Sequence, residues 1–267
     1  IKNGFKVIGA YKTLTKQNKW RLTNLNIYNK ITLKKVDITK KNQVFNIIKE
    51  LKPDKIFNLT ATGYQNLENI NLLNTINVNF IGVKNILESI TTLGRDISFF
   101  QASTSEMYEI LQSSQNRKIS NDNIYGESKL FSHLLCKHYK NNLGVDVKCG
   151  ILFNHESPMR DIRYITRKIT FYLSNYKINQ NQGFEIGNPN IKKDWGYAKE
   201  YTRAMWKVLN HGKKFDYEIG TGKLTSIKKF INICSVNLNL KTIWQGEDKK
   251  LTLIDKKNNF KIIKINN

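Results

Sequence analysis

The sequence has few cysteines, no long apolar run and a deficit of acidic residues. Its three cysteines, Cys136, Cys149 and Cys234, are widely spaced among 267 residues. This excludes a complete disulfide framework and a paired Cys-x-x-Cys knuckle, so we predict no metal site and a reducing, cytoplasmic location. No apolar run approaches the roughly 18 residues of a membrane helix, and the first residues lack the layout of a secretory leader. We therefore expect no membrane partner.

The charge balance is strongly basic, with 44 Lys and Arg against 21 Asp and Glu and a formal net charge of +23. Such a balance is typical of proteins that bind nucleic acid or another polyanion. The lysines are spread along the chain instead of forming one stripe or tail, which favours a solvated cationic surface. An anionic small substrate fits the same charge equally well. We predict no nucleic-acid partner.

Short β-branched segments alternate with longer amphipathic ones, a pattern typical of βαβ units and a parallel sheet. We predict strands at residues 5–9, 35–38, 55–59, 97–101, 145–153 and 217–219. Apolar residues at helical spacing predict helices within 44–51, 81–90, 131–138, 165–173 and 200–209. The fold class is predicted as α/β, a doubly wound parallel (Rossmann-like) sheet with a smaller C-terminal substrate lobe.

The expected division is a nucleotide-binding domain at residues 1–153 and a lobe at 154–267 that is partly interleaved with the sheet. In doubly wound folds the central first strand ends in a glycine turn against a pyrophosphate. None of the 15 glycines falls in a GxGxxG spacing. Our hypothesis is that the first strand, its glycine turn and most of the first helix are missing upstream. An active, folded protein whose native N-terminus is Ile1 would refute it.

The residues that indicate chemistry are the run from Ser103 to Glu106 at a strand end, with Tyr125 and Lys129 further along. Residues four apart share one helix face, so Lys129 is expected beside the Tyr125 phenol. An ammonium there favours the phenolate and lets the tyrosine act as a base. The alternative is a surface Tyr and Lys on an amphipathic helix. The strand-end Thr and Glu favour the catalytic interpretation.

Four longer segments carry a family resemblance. They are Phe100–Tyr108, Gly150–Pro158, Ile165–Thr170 and Lys193–Lys199. They contain Thr-Ser-Glu, Asn-His-Glu-Ser-Pro and Thr-Arg-Lys-Ile. With these motifs the chain resembles the extended short-chain dehydrogenase/reductases and, within them, the GDP-mannose 4,6-dehydratases. Epimerases of the same superfamily usually lack the Glu and the second motif.

The resemblance implies a lyase that converts GDP-mannose to GDP-4-keto-6-deoxymannose and water. It implies Tyr125 as the base for the sugar 4-hydroxyl, with Lys129 binding the cofactor ribose and tuning Tyr125. Glu106 would remove the C5 proton as water leaves from C6, Thr104 would hydrogen-bond the 4-oxygen, and Ser105 would lie close to the sugar. Hydride would pass from C4 to the cofactor and return at C6.

The cofactor implied is NADP, in the domain at residues 1–153. Cofactor contacts are implied for Lys129 and for Asp37, Ile38, Leu59, Thr60, Ala61, Thr62, Gly63, His155 and Arg160. Sugar-nucleotide contacts are implied for Ser105, Asn154, Lys168 and Lys193. Lys193 stands where Arg is usual, which keeps the charge but loses the planar fork for a diphosphate.

Other interpretations stay open. Asp37 could instead cap the following turn, His155 could be a structural histidine, and Lys168 and Lys193 could belong to the general cationic surface. The rival functions are another sugar-nucleotide dehydratase or epimerase, a truncated non-catalytic remnant, and a polyanion-binding module. Family members assemble as homodimers or homotetramers, so the resemblance implies a homo-oligomer. It also implies a role in GDP-fucose synthesis.

Overall fold

The computed structural model describes residues 1, 4–62, 72–115, 123–247 and 250–266. The chain divides into two compact units. The first unit comprises Ile1–Leu152 and Arg203–Ile219, and the second comprises Phe153–Thr202 and Gly220–Asn267.

The first unit alternates strands and helices along the chain. Its strands are β1 (Ile8–Tyr11), β2 (Thr32–Lys35), β3 (Lys55–Asn58), β4 (Ser98–Thr104), β5 (Val147–Leu152) and β9 (Asp216–Ile219). Its helices are α1 (Lys16–Asn24), α2 (Lys41–Leu51), α3 (Leu72–Ile76), α4 (Gly82–Leu93), α5 (Met107–Gln115), α6 (Ile124–Leu143) and most of α8 (Ala198–His211). A short 3-10 turn, Tyr28–Lys30, precedes β2, and a π-helical turn, Asn77–Ile81, joins α3 to α4.

All strand pairs of this unit are parallel within the described residues. Strands β3, β4, β5 and β9 form one sheet in that order, and β1 pairs with β2 in a separate sheet. The central strand β4 is buried along nearly its whole length, as parallel strands covered on both faces are. This arrangement confirms the predicted α/β class with parallel sheets.

Helices α2, α4 and α6 supply the apolar residues that cover the sheet. Their buried residues are Val44, Ile48, Val83, Ile86, Leu87, Ile90 and Cys136, and they pack with Phe99, Val147 and Cys149 of the strands. Gly94 follows α4 and Gly144 follows α6, and both have positive φ, the conformation in which glycine carries no Cβ penalty. The predicted apolar stripes of α2 and α4 are confirmed. The stripe predicted on α6 is wrong, because Phe131, Leu134 and His138 are exposed and the helix buries Ser132, His133 and Cys136 instead.

The first two strands were predicted at the wrong residues. Strand β2 ends at Lys35, because the carboxylate of Asp37 accepts hydrogen bonds from the backbone and hydroxyl of Thr39 and closes a turn there. Strand β1 begins at Ile8, and Phe5 lies before it with its ring edge-to-face against Trp206, 4.8 Å between centroids. The Asp37 turn therefore ends β2 earlier than predicted, and Phe5 packs against Trp206 before β1 begins.

The second unit contains two sheets of mixed direction. Its strands are β6 (Asn154–Glu156), β7 (Phe184–Ile186), β8 (Lys192–Tyr197), β10 (Leu224–Ser226), β11 (Thr242–Gln245), β12 (Thr252–Asp255) and β13 (Lys261–Ile265). One sheet has the order β10-β8-β6 and the other β11-β12-β13-β7. Helices α7 (Ile165–Asn179) and α9 (Ile227–Asn237) bury Ile169, Leu173 and Ile231 against Leu253, Ile262 and Ile263. This unit therefore has its own apolar core.

Candidate active site

The carboxyl end of β4 places a hydroxyl and a carboxylate next to each other. Thr104 is the last residue of the strand, and its Oγ1 accepts a hydrogen bond from the backbone N–H of Glu106 at 3.3 Å. The backbone N–H of Ser105 donates to the Leu152 carbonyl at 3.1 Å, so the turn stays tied to β5. Thr104 is buried, while Ser105 and Glu106 are half-buried. The turn therefore presents Glu106 at the sheet edge where ligands bind in open parallel sheets.

Helix α6 ties Lys129 to the same strand and carries Tyr125 one turn before it. The Lys129 ammonium donates to the Ala102 carbonyl of β4 at 3.0 Å and lies 6.0 Å from the centroid of the Tyr125 ring. Lys129 is 2% exposed and Tyr125 is half-buried. Burial lowers the pKa of Lys129 to about 8. The cation is thus held between the strand end and the phenol, as the one-turn spacing predicted.

Asn123 connects this helix to the β4 turn. It is the N-cap of α6, where its side-chain oxygen accepts a hydrogen bond from the Gly126 N–H at 2.9 Å. Its side-chain amide donates to Glu106 Oε2 at 3.0 Å. The sequence reasoning did not single out Asn123. A preferred N-cap residue just before the Tyr125 helix was the available signal.

Two further contacts fix α5 and α6 against β9. The His133 ring lies 3.1 Å from Ser103 Oγ through Nδ1 and 3.4 Å from Asp216 Oδ2 through Nε2. The hydroxyl of Tyr108, two residues after Glu106, donates to the Glu218 carboxylate. These contacts hold the elements that carry the predicted catalytic residues, and sequence reasoning missed them because they join distant parts of the chain.

Asp37 and Ile38 follow β2, where a cofactor contact was predicted. The Asp37 carboxylate lies 2.9 Å from the Lys12 ammonium. Burial alone would raise the pKa of Asp37, but the donors from Lys12 and Thr39 outweigh it and hold the pKa below its ordinary value. The Ile38 carbonyl accepts from the Asn85 amide at 2.9 Å. The structure therefore shows the turn-capping role of Asp37 that was left open as the alternative.

The loop after β3 carries the predicted phosphate-side residues. Leu59 is 55% exposed, Thr60 and Ala61 are exposed, and Thr62 is half-buried. Gly63 lies outside the described residues. The amide of Asn79 accepts from the Thr62 N–H at 2.9 Å and donates to Ser128 Oγ on α6 at 3.0 Å. Asn79, which the sequence reasoning missed, thus joins this loop to the Tyr125 helix.

In the second unit, neighbouring strands carry His155 and Lys193. Strand β6 holds Asn154 and His155 beside β8, in register with Trp195 and Gly196, and Lys193 is exposed on β8. The Nδ1 atom of His155 lies 2.9 Å from the Phe153 carbonyl. A carbonyl oxygen only accepts, so Nδ1 carries a proton in this contact.

His155 and Arg160 have partners within the second unit. The His155 ring stacks on Tyr201 with 4.8 Å between centroids, and burial raises the pKa of Tyr201 to about 12. The Arg160 guanidinium lies 3.6 Å from the centroid of the Tyr164 ring, and its Nε is 3.4 Å from a Glu156 oxygen. Lys168 is half-buried on α7. The structure therefore places the predicted catalytic residues in the first unit, and His155, Arg160, Asn154, Lys168 and Lys193 in the second.

The chain shares its fold with a structural class that includes nucleotide-sugar dehydratases and epimerases. RMD from Pseudomonas aeruginosa, solved with NADPH, superposes with a TM-score of 0.70 at 19% identity over 88% of this chain and 82% of that one. A dTDP-glucose 4,6-dehydratase from Bacillus anthracis, solved with NAD, gives a TM-score of 0.73 at 16% identity over 99% of this chain and 80% of that one. A UDP-glucose 4-epimerase from Thermotoga maritima gives 0.74 at 15% identity over 100% and 83%. At these identities the likeness shows the fold.

The sequence identifies the family within that class. The profile of the GDP-mannose 4,6 dehydratase family matches residues 1–267. The Homo sapiens and Cricetulus griseus GDP-mannose 4,6 dehydratases are each 29% identical over 260 residues, covering 93% of this chain and 70% of those proteins. The Sinorhizobium fredii enzyme is 32% identical over 216 residues, covering 79% of this chain and 62% of that protein. The chain belongs to the GDP-mannose 4,6-dehydratase family, whose members are hydro-lyases.

Membrane insertion has no support in the described part of the chain. None of its helices combines the length and the apolar character that a transmembrane segment needs.

Proposed function

We propose that the chain dehydrates GDP-mannose to GDP-4-keto-6-deoxymannose, with Thr104, Glu106, Tyr125 and Lys129 as its catalytic residues. The observation that carries this proposal is the connection of two bases within one unit. Glu106 at the end of β4 is tied through Asn123 to the helix that presents Tyr125, and Lys129 is tied back to β4 at Ala102. A dehydratase needs two such bases, one for the hydroxyl proton and one for a carbon-bound proton. Membership of the family supports the same reaction.

Tyr125 takes the proton of the sugar 4-hydroxyl. Its partner is the Lys129 ammonium, 6.0 Å from the ring centroid, which favours negative charge on the phenol oxygen. Because burial brings the pKa of Lys129 to about 8, the ammonium form is retained at neutral pH. Thr104, held by its contact with the Glu106 N–H, donates to the same sugar oxygen.

Glu106 removes the proton from C5 and passes it to the departing C6 hydroxyl, which leaves as water. The 4-ketone makes that proton acidic, so a half-buried carboxylate is a sufficient base. Its position one residue beyond Ser105 and two beyond Thr104 keeps it on the turn that holds the sugar. This second base is what separates elimination from a simple oxidation and reduction at C4.

A nicotinamide dinucleotide fits the residues at the carboxyl ends of the strands. The exposed loop from Leu59 to Ala61 leaves open backbone after β3, and the family resemblance puts this loop beside the cofactor phosphates. We assign NADP as the cofactor, with Asp37, Ile38, residues 59–63 and Lys129 holding it. When bound, the cofactor supplies a hydride acceptor at C4 and a hydride donor at C6.

The second unit supplies the remaining contacts in this proposal. His155 and Arg160 contact the dinucleotide, and Asn154, Lys168 and Lys193 contact the sugar nucleotide, whose diphosphate complements the two lysines. The reaction belongs to GDP-deoxyhexose synthesis such as that of GDP-fucose. The free thiols of Cys136, Cys149 and Cys234 fit a cytoplasmic location. A homodimer or homotetramer is proposed on the family resemblance.

The proposal is tested with full-length protein, NADP and three sugar nucleotides in parallel: GDP-mannose, dTDP-glucose and UDP-glucose. We expect a 4-keto product, detected by its absorbance in alkali and by mass, from GDP-mannose only. Product from another sugar nucleotide would assign the chain to a different dehydratase. Binding without any product would indicate a non-catalytic remnant.

Two variants test the assigned bases. Tyr125→Phe is expected to abolish the first hydride transfer, so no reduced cofactor forms. Glu106→Gln is expected to accumulate reduced cofactor, seen at 340 nm, without releasing the 6-deoxy product. An unimpaired rate in either variant would remove that residue from its role.

A further inference from the structure

The side chain of Asn123 has two partners that belong to different parts of the site. Its oxygen accepts from the Gly126 N–H at 2.9 Å, which caps the first turn of α6. Its amide nitrogen donates to Glu106 Oε2 at 3.0 Å. One planar amide therefore fixes both the start of the helix that carries Tyr125 and the orientation of the Glu106 carboxylate.

The surroundings of this amide are closely packed. A Cβ added at Gly126 would lie 2.8 Å from Ile110 Cδ1 on α5 and 3.0 Å from Asn123 Nδ2. The first separation is shorter than real Cβ contacts and the second is tighter than most, so a larger residue at position 126 displaces the Ile110 methyl and crowds the Asn123 amide. Glycine at this position therefore leaves the space in which the amide reaches Glu106.

We propose that Asn123 is a positioning residue for the elimination step, which holds the Glu106 carboxylate at a fixed place relative to Tyr125. The inference rests on the proposed function, because it assigns Glu106 the role of the C5 base. Asn123 itself touches neither substrate nor cofactor in this proposal. It acts by orientation: a base misplaced by about 1 Å loses up to about 100-fold in rate.

Three substitutions separate the two bonds. Asn123→Ser keeps an N-cap oxygen and removes the amide donor. Asn123→Asp also keeps the cap but places a second carboxylate against Glu106. Asn123→Ala removes both bonds. Thr15→Ala is the matched control, since Thr15 caps α1 through the Asn18 N–H at 3.1 Å and is remote in sequence from the assigned residues.

The readouts resolve the two halves of the reaction in the full-length enzyme with NADP and GDP-mannose. We expect Asn123→Ser and Asn123→Asp to keep the wild-type rate of cofactor reduction in a single turnover, measured at 340 nm. Their rate of 6-deoxy product formation is expected to fall by about 10-fold for Ser and further for Asp, with reduced cofactor accumulating. Thr15→Ala is expected to leave both rates unchanged.

A stability measurement keeps the test independent of turnover. Urea unfolding gives the factor by which Asn123→Ser lowers the folding equilibrium constant. This factor is expected to be about 3-fold larger in the wild-type background than in the Glu106→Ala background. Equal effects in the two backgrounds would show that the bond to Glu106 contributes nothing and would overturn the inference.

Other outcomes are equally distinct. A wild-type rate of product formation by Asn123→Ser would overturn the positioning role. An equal loss of cofactor reduction and product formation in all three variants would also overturn it, because Asn123 would then act only as the N-cap of α6. If the wild-type enzyme gives no reduced cofactor and no product, the proposed function itself fails, and the elimination role of Asn123 fails with it.

Discussion

Replacing the buried lysine with an uncharged side chain of similar length should stabilise the protein at neutral pH. Lys129 is 2% exposed, and its ammonium donates to the Ala102 carbonyl. Burial lowers its pKa from the ordinary 10.5 to about 8. Since one pKa unit corresponds to about 1.4 kcal/mol, keeping the ammonium charged in the folded state costs about 3 kcal/mol. In Lys129→Met that cost disappears.

The carbonyl left behind by Lys129→Met retains a donor. The Gln101 side-chain amide donates to the Ala102 oxygen at 3.0 Å, so no buried acceptor is left without a partner. We therefore expect Lys129→Met to raise the free energy of unfolding by about 2 kcal/mol at pH 7, somewhat less than the full desolvation cost.

The sign of the pH dependence is fixed by the lowered pKa. Below pH 8 the lysine is charged in both states and the full cost is present. Between pH 8 and 10.5 the folded protein loses the proton before the unfolded chain does, so the cost fades as pH rises. The stability difference between Lys129→Met and wild type should therefore be largest at pH 7 and nearly absent near pH 10.5.

The free energies of unfolding of wild type and Lys129→Met are measured in urea at pH 7 and pH 10. The difference between the two proteins is then compared between the two pH values. Cys149 and Cys234, whose pKa values burial raises, change the stability of both proteins in the same range, and the difference cancels them. Lys137→Met, on the exposed side of α6, is the matched control and should change stability by less than about 0.5 kcal/mol at either pH. A variant that is less stable at pH 7, or a gap independent of pH, would refute the reasoning.

Three further outcomes follow from the packing and charges. Gly150→Ala places a Cβ 2.5 Å from the Phe100 ring and should cost about 1–3 kcal/mol, visible as a lower urea midpoint; an unchanged midpoint would contradict the tight contact. Asp194→Ala removes a buried carboxylate that accepts three hydrogen bonds from the turn after β9, and should cost about 2–4 kcal/mol in the same assay, whereas a loss below about 1 kcal/mol would mean that water replaces it. Lys12→Met should move the pKa of Asp37 upward in an NMR titration while changing stability at neutral pH by less than about 1 kcal/mol, because the lysine is exposed; an unmoved pKa would show that the ion pair does not form in solution.

Much of the first unit could be predicted from local pattern. The apolar periods of α2 and α4 reflect burial against one sheet, so period alone located them. Helix α6 was found from apolar residues of which Phe131 and Leu134 are exposed, so its length was predicted but its buried face was not. The second unit was predicted poorly. Strands β11 to β13 and helix α9 were not predicted, because their short segments are buried only through pairing with distant ones.

The residues of the candidate site also fall into two groups, those that sequence motifs indicate and those that only the structure shows. Thr104, Glu106, Tyr125 and Lys129 stand in motifs whose spacing along a strand end or helix already indicates a shared face. Asn79 carries no such signal, and Asn123 carries only that of an N-cap, because the contacts of Asn79 with Thr62 and of Asn123 with Glu106 each span 17 positions. Sequence reasoning therefore finds residues with intrinsic chemistry more readily than the neutral amides that orient them.

The π-helical turn Asn77–Ile81 sets the direction of the Asn79 amide, which anchors the loop after β3. A π-turn accommodates one more residue than an α-turn, and successive residues of a helix point about 100° apart. Deleting one residue there would restore a regular helix and swing the Asn79 amide away from Thr62 and Ser128 without removing any polar group. Relatives with an insertion or deletion at this point therefore need a different anchor for the strand–helix loop, even where every residue of the catalytic motifs is the same.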